Sequence, residues 1–373
     1  MRFLTATALA VLAGSAQAQT AGFVTQLGND TIAVERYTRT PDSLVGEMVA
    51  RSPKTQRVSY VARLDKHGAV ATYTAVFYQG VLPGSAVRVR AEADLRGPDS
   101  IRVAFTRGDS TQHSAVPYQA GALPILEPAM AQYEIVARQA IAAKGKRIPF
   151  ASYYLNDIYP GSAIRAAPDL VLIADRTDTV RARIDTDGHI TSLTDPGGTL
   201  QAVVTRVPAP DIDRWAVQFA TRDTQGKALG ALSPRDTARA TVAGAQLLVD
   251  YGRPSKRGRT IFGGVIPYNT VWRTGANAAT TFVTDHDITL GGTRVPAGTY
   301  TLFSLPTADA WTLIISKKTK EWGTDYDPTA DLARIPMTVS SGAPVEQFTI
   351  GIDTDGLSFA WDTRIGRVHV ATQ

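Results

Sequence analysis

The sequence predicts a mainly β protein in two parts, an N-terminal antiparallel curved sheet with one long helix and a C-terminal β-sandwich or jelly-roll-like domain. Three observations predict it. Most of the chain alternates apolar and polar residues with period two, the pattern of half-buried strands. The runs are short and are separated by turns rich in Gly, Pro and Asp. The 373 residues exceed one ordinary core, on a prior of about 100–200 residues per domain.

Residues 1–18 read as a leader. Met1-Arg2 is a positive start, Phe3 to Ala13 is apolar, and Ala16-Gln17-Ala18 is the small-x-small pattern of a processing site, which places the mature start at Gln19. The apolar run is about half of the roughly 20 residues a membrane span needs. The chain has no cysteine, which removes a lipid-anchored start, a disulfide framework, a thiol nucleophile and a thiolate metal site. The expected location is therefore exported, periplasmic or extracellular, with no transmembrane segment after signal removal. Losing Arg2 leaves 38 Lys and Arg against 34 Asp and Glu, a formal +4. The charge is spread along the chain without an aromatic-interleaved basic stripe, so no nucleic-acid partner is expected.

The first part, 19–231, begins with alternating runs at Thr31 to Tyr37, Leu44 to Ala50, Val58 to Leu64 and Ala69 to Tyr78. Asp65-Lys66-His67-Gly68 and Thr186-Asp187-Gly188 supply hairpin turns with glycine where φ is positive. A weak repeat relates Pro83–Arg88 to Pro160–Arg165 and Asp99–Val103 to Asp178–Ala182; chance recurrence of turn-then-strand grammar weighs equally. A helix is expected near 127–144, with Pro128 in its first turn, a stripe of Met130, Tyr133, Val136, Ala137, Ala140 and Ile141, and a stop at Gly145. Covering a sheet face is the usual use of such a stripe; lining a cavity is the rival.

The boundary falls at Leu232-Ser233-Pro234, after a polar connection from Arg222 to Ala231. In 232–373, strands are expected at Thr237 to Val242, Ala245 to Tyr251, Thr280 to Thr284, Tyr300 to Leu305, Trp311 to Ser316, Phe348 to Asp353, Leu357 to Trp361 and Val368 to Ala371. Asp185-Thr186-Asp187-Gly188 and Asp353-Thr354-Asp355-Gly356 start like calcium loops, but the closing glutamate is missing, so both read as turns. The five histidines are isolated, and no phosphate loop, dinucleotide fingerprint or nucleophile elbow occurs. No metal and no cofactor is expected.

The most informative stretch runs from Asp250-Tyr251-Gly252-Arg253-Pro254-Ser255-Lys256-Arg257-Gly258-Arg259 through Ile261-Phe262-Gly263-Gly264 to Val271-Trp272-Arg273-Thr274-Gly275-Ala276-Asn277. Pro296–Leu302 and Glu321-Trp322-Gly323 follow. On these residues, the chain from about Asp236 to Thr372 resembles the bacterial family catalogued as domain of unknown function 2911. The resemblance implies a compact extracytoplasmic β domain and no specific activity.

Read chemically, Arg253, Lys256 and Arg259 around Pro254 and Gly258 present donors to an anion. Arg273 and Asn277 are candidates to converge on it, with Trp272 and Trp322 offering ring faces to a sugar. The bland alternative pairs the arginines with Glu321, Asp325, Asp327 and Asp331 and buries Trp272, Trp311 and Trp361. The expectation is a non-enzymatic envelope protein that binds an anionic small molecule or a glycan. A hydrolase acting on an envelope glycan or ester, with unassigned carboxylates, is one alternative. A purely structural domain is the other.

Overall fold

The computed structural model describes residues 19–154, 157–175, 178–195 and 200–372; the leader expected at 1–18 lies outside them. The protein is mainly β. The first strands are β1 (Gln19–Leu27), β2 (Asp30–Arg39), β3 (Ser43–Ala50), β4 (Gln56–Leu64), β5 (Val70–Tyr78), β6 (Val87–Asp94), β7 (Ser100–Arg107) and β8 (Ser110–Pro117). They form an antiparallel meander. After β9 (Ala122–Pro124) and α1 (Tyr133–Ala142) comes a second meander. It consists of β10 (Ile148–Tyr154), β11 (Asp157–Ala167), β12 (Leu170–Asp175), β13 (Asp178–Ile184), β14 (Ile190–Thr194) and β15 (Val203–Val207). β15 pairs antiparallel with β1, Arg206 opposite Phe23. This stitches the meanders into one 15-stranded sheet among the described residues.

One face of this sheet holds a single apolar cluster around α1, built from residues such as Phe23, Tyr37, Tyr60, Val136, Phe150 and Ile173. Two buried carboxylates tie α1 to that face. Glu35, on β2, accepts hydrogen bonds from the backbone N–H of Met130 and Ala131 at 2.8 and 3.0 Å and from the Tyr60 hydroxyl. Tyr60 reaches it by lying over Gly46, where a Cβ would meet the ring at 2.1 Å. Glu134, on α1, accepts from Tyr37 Oη at 3.1 Å, the Ile190 N–H at 3.0 Å and Arg206 Nη1 at 3.3 Å.

This clasp explains why the helix is shorter than expected. Residues 126–132 form turns, since the Met130 and Ala131 N–H groups serve Glu35, and α1 starts at Tyr133. A second helix, α2 (Ile212–Thr224), was not expected. Asp211 caps it by accepting the Arg214 N–H at 3.1 Å. Ile212, Ala216 and Phe219 bury against Val34 and Val49 on the opposite sheet face. The suggested repeat has no structural counterpart. Its first copy leads from β6 straight to β7, whereas its second spans β11 and β13 with β12 between.

The C-terminal strands are β16 (Arg235–Val242), β17 (Ala245–Gly252), β18 (Thr280–Thr284), β19 (Ile288–Leu290), β20 (Thr293–Val295), β21 (Gly298–Pro306), β22 (Trp311–Ser316), β23 (Asp331–Asp353) and β24 (Gly356–Thr372). They make a second sheet in the order β16-β17-β18-β21-β22-β23-β24-β19-β20. The register of the long β23–β24 hairpin shifts between Ser341 and Thr349. There β23 turns back on the sheet, and its far half reaches the chain after β17: Lys256 N–H donates to Glu346 O at 2.7 Å, and Phe348 N–H to Pro254 O at 2.9 Å. One sheet folded on itself thereby does the work of two layers around a second apolar cluster. The Asp353–Gly356 segment is the β23–β24 turn, Asp353 accepting the Asp355 N–H at 3.0 Å.

Burial raises the Glu35 pKa from its ordinary 4.5 to about 7, helped by Glu134 and opposed by the hydrogen bonds from Tyr60, Met130 and Ala131. The folded form therefore binds this proton more tightly than the unfolded chain. Its contribution to stability is complete below pH 4.5 and is lost as pH rises through about 7. The loss amounts to roughly 3 kcal/mol. Denaturant melts between pH 4 and 8 are expected to show this decline in the wild type and a flatter profile in Glu35→Gln.

Candidate functional site

The basic loop after β17 does not gather its cations on one ligand position. Arg253 donates through Nη1 to Asp236 at 2.8 Å, through Nη2 to Thr349 Oγ1 at 3.0 Å and through Nε to Phe348 O at 3.2 Å. Lys256 Nζ pairs with Asp362 at 2.6 Å. Arg259 donates to the carbonyls of Ser255, Leu200 and Lys256 at 2.7, 2.8 and 3.1 Å. Burial, and then the neighbouring Arg257, lower the pKa of Arg259. These partners also differ from the acidic loop of the bland alternative. Within that loop Glu321 pairs with Lys318 at 2.9 Å and Asp331 with Arg334 at 2.8 Å.

The loop instead joins the two sheets. Arg257 Nη1 donates to Asp30 at 2.6 Å, and Asn29 N–H donates to Arg257 O at 2.9 Å. The β1–β2 turn comes so close that a Cβ on Gly28, at φ 57°, would lie 2.0 Å from the Arg257 carbonyl.

A different part of the signature surrounds a cavity. Trp272 pairs its backbone with Ser304 in both directions, at 2.7 and 2.8 Å. Its indole stacks on Trp361 at 5.9 Å and meets Phe348 edge-on at 4.9 Å. Trp272, Trp311 and Trp361 are all buried. The chain then turns sharply. Thr274 adopts φ 51°, an uncommon conformation for a β-branched residue. Its hydroxyl lies 2.9 Å from Ser304 Oγ, and its carbonyl accepts from Thr280 Oγ1 at 2.8 Å. Asn277 is also left-handed, at φ 64°. Its carbonyl accepts from Arg273 Nη1 at 3.4 Å and from Gly323 N–H at 3.1 Å. Gly323 fits only without a Cβ, which would sit 2.4 Å from Arg273 Cδ. The two separated motifs, 271–277 and 321–323, therefore lie side by side.

Between them and β21 is a cavity of about 180 Å³, lined by Val265, Trp272, Arg273, Phe303, Thr324 and Tyr326 among others. Phe303 is on the opposite strand face from Leu302, which joins the main core, and it packs edge-on against Tyr326 at 4.8 Å. Tyr326 Oη donates to Asp331 at 2.8 Å and accepts from Arg334 at 2.6 Å. Burial first, then the bond to Asp331, push its pKa up to about 12. Trp272 is 5% exposed, and its Nε1–H has no acceptor among the described residues.

Of the residues singled out in the sequence, the cavity takes Trp272 and Arg273. Asn277 shapes its rim through its backbone. Trp322 is exposed and bridges to Ala278, while Arg253, Lys256 and Arg259 are elsewhere. Phe303, Thr324 and Tyr326 went unnoticed because a strand residue facing outward reads as ordinary alternation. Tyr326 sits in the acidic stretch, which was read only for its charges.

Residues 233–370 match the family described as protein of unknown function (DUF2911). The N-terminal part has no family match. No curated protein matches the chain. Similar solved structures include a DUF1089 family protein from Pseudomonas aeruginosa, at 16% identity over 45% of this chain and 91% of that one, with a TM-score of 0.34. Another is a beta-barrel-like protein of domain of unknown function DUF1849 from Brucella abortus, at 11% identity over 52% of this chain and 98% of that one, with a TM-score of 0.35.

The partners above set the order of sensitivity to truncation. Arg253→Ala and Arg259→Ala each break at least three hydrogen bonds and leave part-buried acceptors empty, at about 1–3 kcal/mol. Their melting temperatures are expected to fall by several degrees. Lys256→Ala removes one partly exposed pair, worth about 0–1 kcal/mol, and should melt close to the wild type.

Proposed function

We propose that the protein is an exported, non-enzymatic binding protein whose C-terminal domain holds a small acceptor-rich molecule, an anion or a sugar, in the Trp272–Arg273–Tyr326 cavity. The observation that carries this reading is a small cavity lined by Arg273 and by Trp272, whose buried Nε1–H has no acceptor among the described residues. A buried donor left unpaired costs about 1–3 kcal/mol, and a ligand oxygen supplies the missing partner. The indole and Phe303 give the apolar wall that ligand sites combine with a few polar groups. At about 180 Å³ the cavity is below the roughly 300–1,000 Å³ of drug-sized sites, which favours a ligand no larger than a monosaccharide or a short carboxylate. Among the described residues, those lining the cavity include no Asp, Glu or His. That supports binding over hydrolysis, which needs an acid–base pair at the reacting bond.

Export is supported by the leader pattern of residues 1–18. Mass spectrometry of the protein from an envelope fraction is expected to give an N-terminus at Gln19; a chain retaining Met1 in the cytoplasm would contradict export.

The cavity is tested by titrating N-acetylglucosamine, glucose, acetate and propionate while following tryptophan emission. Saturable binding of at least one probe is expected. Trp272→Phe keeps the ring packing and removes the N–H; it should weaken that binding by about tenfold, the worth of one hydrogen bond at roughly 1.4 kcal/mol. Equal affinity in the variant would exclude the indole as a ligand donor.

A further inference from the structure

The strongest uncommitted feature lies in the N-terminal sheet, at the end of β2 beside α1. Period-two alternation puts Glu35, Tyr37 and Arg39 on the same face of β2. Around the buried Glu134 carboxylate stand Arg206 Nη1 at 3.3 Å, His189 Nδ1 at 3.5 Å and Arg138 Nε at 3.7 Å. Arg138 Nη2 lies 2.6 Å from His189 Nδ1. Arg39 stands beside this group: it shares the β2 face with Tyr37, whose Oη donates to Glu134 at 3.1 Å. Yet Arg39 has no hydrogen-bond or ion-pair partner among the described residues, and its Nη1 is buried and unpaired. The Nε of Arg138 makes no hydrogen bond among the described residues, but it faces Glu134 Oε2, also unpaired, at 3.7 Å.

Two guanidinium groups thus stand at 3.3 and 3.7 Å from one carboxylate, and Arg39 brings a third cation from β2, an excess of two positive charges in a part-buried place. The nearby Asp185 does not balance them. Its Oδ1 caps the turn before His189, accepting from Asp187 N–H at 3.0 Å and His189 N–H at 2.8 Å. Glu35 already serves Tyr60, Met130 and Ala131. Folding alone gives no reason to bring these like charges together and leave the buried Arg39 Nη1 unpaired. An arriving anion supplies both the missing charge and the missing acceptors.

We propose that Arg39, Arg138 and Arg206 form a second ligand site that takes a phosphate group, either inorganic phosphate or the phosphate monoester of a small molecule. A phosphate carries about −1.5 to −2 at pH 7, which matches the excess. Its oxygens accept the forked donors of arginine better than a single-point anion does. The depressed pKa of Arg39, caused by burial and then by Arg138, is the penalty that binding would relieve. The site is independent of the C-terminal cavity.

Isothermal titration of the full chain at low ionic strength, first with inorganic phosphate and then with glycerol phosphate, tests the site against matched sodium chloride. One saturable site is expected. Tighter binding of glycerol phosphate assigns the site to a monoester, and equal or weaker binding assigns it to free phosphate. Arg39→Ala and the longer Arg39→Gln should each weaken binding by roughly ten- to a hundredfold. Neither should lower the melting temperature in phosphate-free buffer, because Arg39 has no hydrogen-bond or ion-pair partner among the described residues. Trp272→Phe should bind phosphate as the wild type does. No saturable binding, wild-type affinity in both Arg39 variants, or loss of phosphate binding in Trp272→Phe would overturn the proposal. So would a fall in melting temperature in both Arg39 variants without phosphate.

Discussion

The N-terminal half depends on two carboxylates that have been taken out of water to hold one helix. Glu35 reaches from the sheet to the chain entering α1, and Glu134 reaches from α1 back to the sheet. A three-turn helix packed by an apolar stripe alone has many nearly equivalent seats on a broad face. Buried hydrogen bonds to named backbone groups leave one. The cost appears in the raised pKa of Glu35. It appears again in the need for Gly46, without which Tyr60 could not lie across β3 to reach the carboxylate. The arginines around Glu134 exceed what that carboxylate needs, so the same device that seats the helix also creates a positive site beside it.

In the C-terminal half, arginine serves mainly as a multiple donor to the protein itself. Arg253 and Arg259 each satisfy several acceptors in the crossing between β17 and the far half of β23. Backbone carbonyls freed by an irregular loop need donors when they are buried, and one guanidinium supplies several. Arg257 extends the same role between sheets, meeting Asp30 while its carbonyl takes the Asn29 N–H. Charge density in a loop therefore marks demand for donors, which either a ligand or the chain can create.

The cavity has a different origin. Thr274 and Asn277 hold left-handed backbone conformations that cost energy, and buried hydroxyl bonds to Ser304 and Thr280 keep Thr274 in place. The resulting turn stands Trp272 against the core while Arg273 reaches over Gly323. Rigid walls around a small polar opening are what a binding site needs to avoid reorganising when the ligand arrives.

The sequence by itself determined much of the strand pattern, the hairpin turns with glycine at positive φ, the family resemblance after Leu232 and the burial of Trp311 and Trp361; it left Trp272 open between a ligand face and the core. These depend on neighbours within a few residues, and period two and turn chemistry record such neighbours directly. α2 is also legible, in Asp211 followed by Ile212, Ala216 and Phe219, and only its last residues fall in the polar connection expected from Arg222 to Ala231. Only the tertiary structure decided that β15 closes against β1, that β23 folds its sheet back, and which partner each arginine takes. Asp30 is 227 residues from Arg257, and Glu134 is 97 from Tyr37. No local pattern encodes a pairing at that distance, because a charged side chain has the same sequence signature whether it meets solvent, a ligand or a buried carbonyl.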